Sequence, residues 1–360
     1  MPETYRVASV GATGAVGQKV LQILQERHFP VGELVPFASE RSEGRPIPFR
    51  GEEIPCRVLA DDALDGFDLV FSSAGGSVSK AWASKFAARG ALVIDKTSAF
   101  RMAEGVPLVV PEVNPDTVEE AIGGTGIISS PNCSTMQMVV ALNPIHRAVG
   151  IEEIIVSTYQ SVSGTGASAI AELVDQTHAI LHDTEPPAPS VYPHQIAFNV
   201  LPQVETFADD SGYTTEERKM MDETRKILGV SAEEMPIVAT CARVPVVNCH
   251  SESIRIRTRE PLSIPRAHEL LSSAQSVVVV DNPRGGEYPM GVDAAERDEV
   301  FVGRLRHDLG TSDERHLNLW VVGDNLRKGA ATNAVQIAEL LHERGLASAA
   351  RRAPVSAVTA

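Results

Sequence analysis

The sequence predicts an α/β protein in two parts, an N-terminal doubly wound parallel sheet and an α+β part with a mixed sheet. Three observations support this fold class. The chain has 360 residues, which at about 150 residues per domain suggests two domains. Its first 130 residues alternate strand and helix signals, as βαβ units do. From residue 151 onward, longer β-rich runs replace that alternation.

The first part is built from short apolar runs separated by amphipathic stretches. A β-prone run ends at Gly11, and the apolar positions after it lie on one helical face until Pro30. The predicted elements are strands at 5–10, 34–37, 69–71 and 92–94, a polar loop at 39–51 and a helix at 77–88.

The second part combines long strands with an irregular connection. A half-exposed strand is predicted at 251–258, where Ile254 and Ile256 alternate with Arg255 and Arg257. The other predicted elements are a β-rich run at 151–162, a helix at 167–181, a proline-rich connection at 183–202 and a final helix at 329–344.

Charge and composition exclude several classes of protein. Lys and Arg number 32 against 47 Asp and Glu, a formal net charge of −15, which argues against nucleic acid as a partner. No apolar run approaches the ~20 residues of a transmembrane helix, and the N-terminus has no signal-peptide pattern. Four unevenly spaced cysteines without a C-x-x-C pair predict neither disulfides nor a metal site. We therefore expect a soluble, cytoplasmic protein without a membrane partner.

A glycine-rich loop joins the first strand to the first helix. Residues 11–17 read Gly-Ala-Thr-Gly-Ala-Val-Gly, and the glycines let main-chain N–H groups approach a pyrophosphate at the helix N-terminus. An ordinary tight turn is the alternative, because the spacing G-x-x-G-x-x-G is not the commonest fingerprint. The position in the first βα turn favours a Rossmann-type dinucleotide site.

The choice of coenzyme is expected just after the second strand. Ser39, Glu40, Arg41 and Ser42 follow it. An acidic residue there favours NAD through the ribose hydroxyls, whereas an arginine favours the 2′-phosphate of NADP. Arg41 with two neighbouring hydroxyls predicts NADP, and Glu40 is the feature that argues against it.

Cys133 is the candidate nucleophile. It follows a short strand and precedes a helical stretch at 136–149. A thiol at a helix N-terminus has a lowered pKa, and the N–H groups there can stabilise an oxyanion. A buried structural cysteine is the alternative, and we assign that role to Cys56, Cys241 and Cys249.

Several blocks together resemble aspartate-semialdehyde dehydrogenase. They run in the same order from about residue 5 to 345, and five matching blocks are more specific than one. The blocks are the Gly11 loop with Pro-Asn-Cys133-Ser-Thr, Asp95 to Arg101, Tyr159 to Gly166, Arg243 to His250, and Asp324 to Asn333.

The resemblance implies NADPH-dependent reductive dephosphorylation of L-aspartyl 4-phosphate to L-aspartate 4-semialdehyde. Cys133 would carry a thioacyl intermediate, His250 would act as acid and base, and Gln160 would orient the reacting groups. The same resemblance places the reaction in the biosynthesis of lysine and diaminopimelate, methionine, threonine and isoleucine.

The resemblance also implies the binding residues. Arg243 would hold the substrate α-carboxylate, and Glu216 the amino group, although Glu217 is adjacent and easily confused with it. Without the resemblance, the charges around Glu216 would suit a solvated helix face. Lys219 and Arg101 would hold phosphate, with Ser98 and Asn132 as further contacts. The implied cofactor contacts are Gly11, Thr13, Gly14, Ala15, Val16, Ser39, Arg41, Ser42, Ser73, Gly164 and Asn325.

The family architecture would be like that of glyceraldehyde-3-phosphate dehydrogenase. Residues 1–131 with 326–346 would form the dinucleotide-binding domain, residues 132–325 the catalytic and dimerisation domain, and 347–360 a flexible tail. A homodimer, or a tetramer, is implied. The competing hypotheses are N-acetyl-γ-glutamyl-phosphate reductase, whose acylated substrate gives Glu216 no ammonium to bind, and a catalytically silent dinucleotide sensor.

Overall fold

The computed structural model describes residues 4–347. The chain divides into two compact units, one made of the described residues up to Asn132 and from Ala330 onward, the other of Cys133–Gly329. The predicted tail, 347–360, lies outside the described residues except for Ala347, which is buried in the core of the first unit.

The two units contain eight helices and fourteen strands within the described residues. The helices are α1 (Ala15–Glu26), α2 (Gly76–Ala88), α3 (Cys133–Val149), α4 (Ala167–Leu181), α5 (Thr215–Leu228), α6 (Ile264–Ser272), α7 (Gly291–Ala294) and α8 (Asn333–Glu343). The strands are β1 (Tyr5–Val10), β2 (Val31–Ala38), β3 (Pro46–Phe49), β4 (Glu52–Pro55), β5 (Arg57–Val58), β6 (Leu69–Ser72), β7 (Leu92–Asp95), β8 (Ile127–Ser129), β9 (Ile151–Gln160), β10 (Ile237–Arg243), β11 (His250–Thr258), β12 (Val277–Val279), β13 (Val300–His307) and β14 (His316–Gly323).

The first unit is a doubly wound parallel sheet in the order β5-β2-β1-β6-β7-β8. One apolar cluster packs α1 and α8 against the sheet, and a second cluster packs α2. The strand order reverses between β1 and β6. In sheets of this type, that switch point opens a crevice at the carboxyl ends of the strands, so the topology places a binding cleft after Val10 and Ser72.

The predicted loop at 39–51 is wrong in its second half. β3 pairs antiparallel with β4 in a separate two-stranded sheet. Ile47 and Phe49 alternate inward and are buried against the α1 side of the core. Proline removes a hydrogen-bond donor and argues against a central strand, but a two-stranded sheet has only edges, so Pro46 and Pro48 are tolerated there.

The second unit is built on a mixed sheet in the order β10-β9-β11-β14-β13-β12. The outer pairs β10–β9 and β12–β13 are parallel, and the central pairs are antiparallel. Side chains alternate between buried and more exposed along β11, as predicted for 251–258. Helices α3, α5 and α6 pack on the buried face. The two sheets confirm the predicted fold class.

Two helix boundaries bear on the site. Helix α3 begins at Cys133 itself, three residues before the predicted start at 136. The predicted final helix at 329–344 is instead a π-helical segment, Arg327–Thr332, that leads into α8. Over residues 4–347, none of the helices combines the length and apolarity needed to cross a membrane.

Candidate active site

Cys133 and His250 form a close pair in the second unit. Cys133 is the first residue of α3, and His250 is the first residue of β11. The Cys133 Sγ lies 3.2 Å from Nε2 of His250. The imidazole is completely buried, whereas the cysteine is partly exposed. A nucleophile within hydrogen-bond reach of a base is the arrangement that covalent catalysis requires.

The other ring nitrogen of His250 faces both a donor and an acceptor. The Ser161 main-chain N–H donates to Nδ1 at 3.1 Å, and the Ser161 Oγ lies 3.1 Å from the same atom. That hydroxyl donates its own hydrogen to Asn325 Oδ1 at 3.0 Å, so its lone pairs can face the ring. The imidazole can therefore carry its proton on either nitrogen, as an acid/base group must.

The surroundings of His250 favour its neutral form. Burial, together with the positive charge of Arg243, lowers the pKa of His250 to about 3. Nε2 faces Cys133, so the neutral ring can accept the thiol proton there when its own proton is on Nδ1, against the Ser161 hydroxyl. The protein without substrate thus holds a neutral imidazole beside Cys133 at neutral pH.

A row of side chains crosses the sheet beside this pair. Arg243 on β10 is the register partner of Gln160 on β9, and His250 on β11 is the partner of Gly323 on β14. The pairing of β9 with β11 brings Gln160 next to His250. The neighbouring strands β10, β9 and β11 thus place the side chains of Arg243, Gln160 and His250 in one buried row.

Gln160 connects the nucleophile helix to α5. Its Nε2 donates to Ser134 Oγ at 2.6 Å and to Glu216 Oε1 at 2.8 Å. Gln160 and Glu216 are both buried. Glu216 also lies 3.6 Å from Lys219 Nζ, and Lys219 pairs with Glu205. The amide therefore fixes the position of the Glu216 carboxyl group.

The structure separates Glu216 from its neighbour Glu217. Glu217 forms a capping box with Thr214, accepting from the Thr214 main-chain N–H at 2.7 Å. Its other oxygen accepts from the Cys241 main-chain N–H at 2.9 Å. The sequence T-x-x-E at 214–217 is the signal that identifies this cap. Glu217 is therefore a structural residue, and Glu216 is the carboxyl group that faces Gln160.

Arg243 is held in the same row. Its Nη1 donates to the Ser161 main-chain carbonyl at 2.7 Å, and its guanidinium lies 6.0 Å from the centre of the Tyr192 ring. Nε is buried without a hydrogen-bond partner within the described residues. A Cβ at Gly164 would lie 3.3 Å from His250 and 3.4 Å from Arg243. Glycine at 164 therefore lets both side chains approach.

A second glycine adjoins the nucleophile. A Cβ at Gly329 would lie 2.7 Å from the Cβ of Cys133, closer than two carbon atoms pack. The signal in the sequence was the Asp324–Asn333 block, in which this glycine lies. Asn325, from the same block, accepts from the Cys249 main-chain N–H at 3.0 Å and is buried with Ser161 and Ser163.

The first unit contains a cleft at the switch point between β1 and β6. Its volume is about 660 Å³. A Cβ at Gly11, which has φ +91°, would lie 2.9 Å from Ala74 N, so the glycine loop packs closely there. Gly14 caps α1 without a side-chain hydrogen bond, which leaves first-turn N–H groups for an anion. The lining includes Gly11, Thr13, Gly14, Ser39, Glu40, Arg41 and Ser73.

Glu40 and Arg41 are both exposed in a short 3₁₀ turn, Glu40–Ser42, at the rim of this cleft. Ala15 and Val16 form the first turn of α1, and like Ser42 they do not line the cleft. The cleft, the glycine turn and the uncapped helix fit a dinucleotide. Gly164 and Asn325 belong to the second unit.

The expected phosphate residues of the first unit are buried near the ends of its strands. Arg101 donates from Nε to the Ser130 carbonyl at 3.0 Å and from Nη2 to the Lys96 carbonyl at 2.9 Å. Asn132 is also buried, whereas Ser98 is exposed. Between residues 4 and 347, no group of three or more His, Cys, Asp or Glu side chains could hold a metal ion.

Comparison with known proteins agrees with this geometry. The semialdehyde dehydrogenase NAD binding domain matches residues 6–121, and the semialdehyde dehydrogenase dimerisation domain matches residues 142–328. The aspartate-semialdehyde dehydrogenase of Aquifex aeolicus is 54% identical over 95% of this chain and 99% of its own length. The chain belongs to the aspartate-semialdehyde dehydrogenase family.

Solved structures of aspartate-semialdehyde dehydrogenases share the fold. Enzyme II from Vibrio cholerae, complexed with ASA, has a TM-score of 0.89 and 45% identity, covering 94% of this chain and 98% of its own. The Candida albicans enzyme with NADP has a TM-score of 0.72 and 26% identity, covering 95% and 99%. The resemblance noted from the sequence is confirmed.

In this member of the aspartate-semialdehyde dehydrogenase family, the three other cysteines are buried, whereas Cys133 is partly exposed. Burial raises the pKa of the Cys56 and Cys241 thiols, and it raises that of Cys249 to about 12, with Asp324 and Glu296 adding to the effect. Sequence reasoning missed Ser161, which controls the ring of His250. Its only signal was its place beside Gln160 in the Tyr159–Gly166 block.

Proposed function

We propose that the protein reduces L-aspartyl 4-phosphate to L-aspartate 4-semialdehyde, with NADPH as reductant and release of phosphate. The observation that supports this most directly is the 3.2 Å contact between Cys133 Sγ and His250 Nε2. Beside it lie a buried arginine, Arg243, and a buried carboxyl group, Glu216. That set of charges suits an amino acid with a reactive carbonyl on its side chain.

The substrate would be held by opposite charges. Arg243 would bind the α-carboxylate, because a guanidinium matches a carboxylate with two parallel hydrogen bonds. Glu216, positioned by Gln160 at 2.8 Å, would accept the α-ammonium group. Lys219 and Arg101, with Asn132, would bind the phosphate. An N-acylated substrate has no ammonium for Glu216, which argues against N-acetyl-γ-glutamyl phosphate.

Cys133 and His250 would carry the covalent steps. The Cys133 sulfur attacks the acyl carbon, its proton passes to His250, and the bond from that carbon to the phosphate oxygen breaks. NADPH, when bound, supplies the hydride that reduces the resulting thioacyl group. His250 then gives its proton to the carbonyl oxygen, forming a hemithioacetal. Collapse returns this proton to His250, and the carbon–sulfur bond breaks to leave aldehyde and thiolate. The negative charge of the substrate stabilises the transient imidazolium.

The first unit would bind the coenzyme, and we propose NADP over NAD. The domains would be residues 1–131 with 326–346 for the dinucleotide and residues 132–325 for catalysis and dimerisation. Gly11, Thr13 and Gly14 of the cleft, with Ala15 and Val16 in the first turn of α1, would contact the pyrophosphate, and Ser73 the adjoining nucleotide. Ser39, Arg41 and Ser42 would hold the 2′-phosphate, and Gly164 and Asn325 the nicotinamide side. The NADP complex of the Candida albicans relative supports the preference.

We propose a homodimer formed through the second unit. The face of its mixed sheet opposite α3 and α5 exposes apolar side chains, including Ile155, Tyr159 and Val238 at 39–45% exposure. Tyr159 packs against Trp320 on this face, with ring centres 5.4 Å apart. Apolar surface of this kind marks an interface, and the strands lie in the region that matches the dimerisation domain.

We also propose that the enzyme works in the cytoplasm, in the biosynthesis of lysine, diaminopimelate, methionine, threonine and isoleucine. A reducing compartment suits a chain with a thiol nucleophile and four cysteines that form no disulfide.

A single assay tests the reaction. Purified protein should reduce NADP with aspartate semialdehyde only when phosphate or arsenate is present, and Cys133→Ala should abolish the activity. Cys56→Ala, which removes a thiol outside the reacting pair, is the matched control. Activity with N-acetylglutamate semialdehyde instead, or full activity of Cys133→Ala, would contradict the proposal.

A further inference from the structure

Gln137 links the helix of the nucleophile to the strand of the imidazole. It lies one turn after Cys133 on α3, and residues four apart share one face of a helix. Its side chain is 2% exposed, and Nε2 donates to the main-chain carbonyl of His250 at 3.3 Å. One buried amide therefore connects the two elements that carry the reacting groups.

The rest of the Gln137 side chain is closely enclosed. Gly323 is the register partner of His250, so it lies directly across from the residue that Gln137 contacts. A Cβ at position 323 would lie 2.9 Å from Gln137 Oε1 and 3.3 Å from its Cβ. Glycine at 323 leaves the space that the amide occupies, which fixes its position against β11 and β14.

A buried carboxyl group lies beside the same amide. Glu252 is two residues after His250 on the same face of β11, and it is completely buried. Among the described residues, neither of its oxygens has a hydrogen-bond partner of good geometry. Burial raises the pKa of Glu252 well above its usual range; the nearby Gln137 amide opposes this effect, and Glu216 adds to it.

The protonation state of Glu252 determines how it can meet Gln137. A carboxylate accepts only, so it would attract the amide N–H of Gln137 away from the His250 carbonyl. A protonated carboxyl group has an O–H to donate to the amide oxygen, and Nε2 then remains directed at His250. An isolated buried carboxylate is also costly, so the group keeps its proton.

We propose that Gln137 is a positioning residue of the reaction: oriented by the protonated carboxyl group of Glu252, it holds His250 at the N-terminal turn of α3 and so sets the distance from Nε2 to Cys133 Sγ. This inference rests on the proposed role of the Cys133–His250 pair. It assigns Gln137 and Glu252 no contact with substrate, since both act through His250.

The ionisable groups around this contact come from four elements. The neighbours of Glu252 across the sheet are Thr158 on β9 and Val321 on β14, and neither carries a charge. The ionisable neighbours are Cys133 on α3, Glu216 on α5, Cys241 and Arg243 on β10, and His250 and Glu252 on β11. Among these, Cys133 is the group whose ionisation depends directly on the position of Nε2.

Gln137→Leu tests the proposal, because leucine fills similar space but cannot donate. We expect kcat to fall roughly 10- to 100-fold, as for a misplacement of about 1 Å, with little change in the KM for aspartate semialdehyde. The rate of Cys133 alkylation by iodoacetamide, followed against pH, should shift its midpoint to higher pH, since Nε2–H no longer stabilises the thiolate. Gln336→Leu is the matched control, because Gln336 is a partly buried glutamine whose Nε2 donates to Glu112 Oε1 within the first unit.

Two variants of Glu252 keep the proposal testable even if Gln137→Leu fails to fold. Glu252→Gln retains a donor and should behave like the wild type in both measurements. Glu252→Leu removes the donor and should reproduce the Gln137→Leu shift in alkylation. The alkylation measurement needs no substrate, so it separates this inference from the proposed reaction. The proposal would be overturned by an unchanged alkylation profile in Gln137→Leu or in Glu252→Leu. It would also be overturned if Glu252→Gln shifted the alkylation midpoint as far as Glu252→Leu does.

Discussion

At the scale of single residues, the reacting pair depends on the surroundings of His250 more than on its intrinsic chemistry. An exposed histidine titrates near neutrality, but burial and Arg243 lower the pKa of this one to about 3. In the proposed reaction it would begin neutral and gain a proton only as Cys133 loses one. Ser161, whose N–H and hydroxyl both face Nδ1, makes that exchange possible.

Gly329 limits how closely the chain can pass the nucleophile. In Gly329→Ala the new Cβ would meet the Cys133 Cβ at 2.7 Å, so the first turn of α3 must move. We expect kcat to fall about 10- to 100-fold, the typical effect of displacing a reacting group by about 1 Å. Steady-state kinetics measure the effect, with Gly76→Ala as control, because a Cβ there meets nothing within 4 Å. Wild-type kcat in Gly329→Ala would show that the nucleophile tolerates the shift.

Arg41 should determine the preference for NADP. A guanidinium bound to the 2′-phosphate makes charge-assisted hydrogen bonds of about 1.5–3 kcal/mol, so Arg41→Ala should lower kcat/KM for NADP about 10- to 100-fold. The value for NAD should change little. Arg45→Ala, which removes a nearby exposed arginine, serves as the control. Equal losses with both coenzymes would show that Arg41 does not discriminate between them.

At the scale of secondary structure elements, side chains of α4 anchor the irregular connection at 183–202, which contains Tyr192. Glu172 accepts from the main-chain N–H groups of Ser190 and Val191, each at 2.7 Å. Gln176 accepts from Ile196 at 3.0 Å. The proline-rich stretch predicted at 183–202 is therefore irregular but anchored. Because Tyr192 lies against Arg243, these anchors also bear on the proposed carboxylate site.

Glu172 should make stability depend on pH. Burial raises the pKa of this carboxyl group, but the hydrogen bonds from Ser190 and Val191 outweigh burial and lower it below its ordinary value. A lowered pKa stabilises the fold above the ordinary pKa of glutamate and loses that effect as pH falls through the folded-state pKa. Glu172→Gln should therefore reduce Tm by a few degrees at pH 7, about 1–2 kcal/mol, and by less at acidic pH. Thermal unfolding against pH measures this, with the exposed Glu185→Gln as control; a loss independent of pH would contradict the assignment.

Local sequence patterns predicted the elements better than the contacts between them. Helix α4 has the predicted bounds, because its apolar spacing and the glycines before it are local signals. The β3–β4 pair was missed because prolines argue against a central strand. The sequence alone does not show that these two strands form a separate sheet in which both are edge strands. Cys133 and His250 were found through sequence blocks. Ser161 and Asn325 stand 164 positions apart, and only the folded sheet brings them together.

At the scale of the whole molecule, the switch-point cleft and the Cys133–His250 pair belong to different units, each built on its own sheet. The parallel sheet offers a cleft at its switch point. In the mixed sheet, the row of Arg243, Gln160 and His250 is buried on one face, and the opposite face exposes apolar side chains. The length and alternation of the sequence predicted two such sheets, but strand order and register depend on long-range pairing that no local pattern encodes.

The exposed face of the mixed sheet should be the dimer interface. Ile155→Lys combined with Val238→Lys places two charges on that face, and burying them without partners is unfavourable. We expect this variant to be a monomer by light scattering and the wild type to be a dimer. Leu181→Lys is the control, because Leu181 is also exposed but lies at the end of α4, outside the mixed sheet. A variant that stays dimeric would place the interface elsewhere.

The turn at Glu40–Ser42 and the row that contains Gln160 and His250 differ in how strongly the fold depends on their side chains. Glu40 and Arg41 are exposed and contribute nothing to the apolar core, whereas each side chain of that row contacts several others. Substitutions in the turn should cost the fold little, so a coenzyme preference set there could be redesigned without loss of stability. The buried residues of the row allow less change, because each is hydrogen-bonded to neighbours that a substitution would leave unpaired. A redesign of coenzyme preference should therefore begin at the turn and leave the buried row intact.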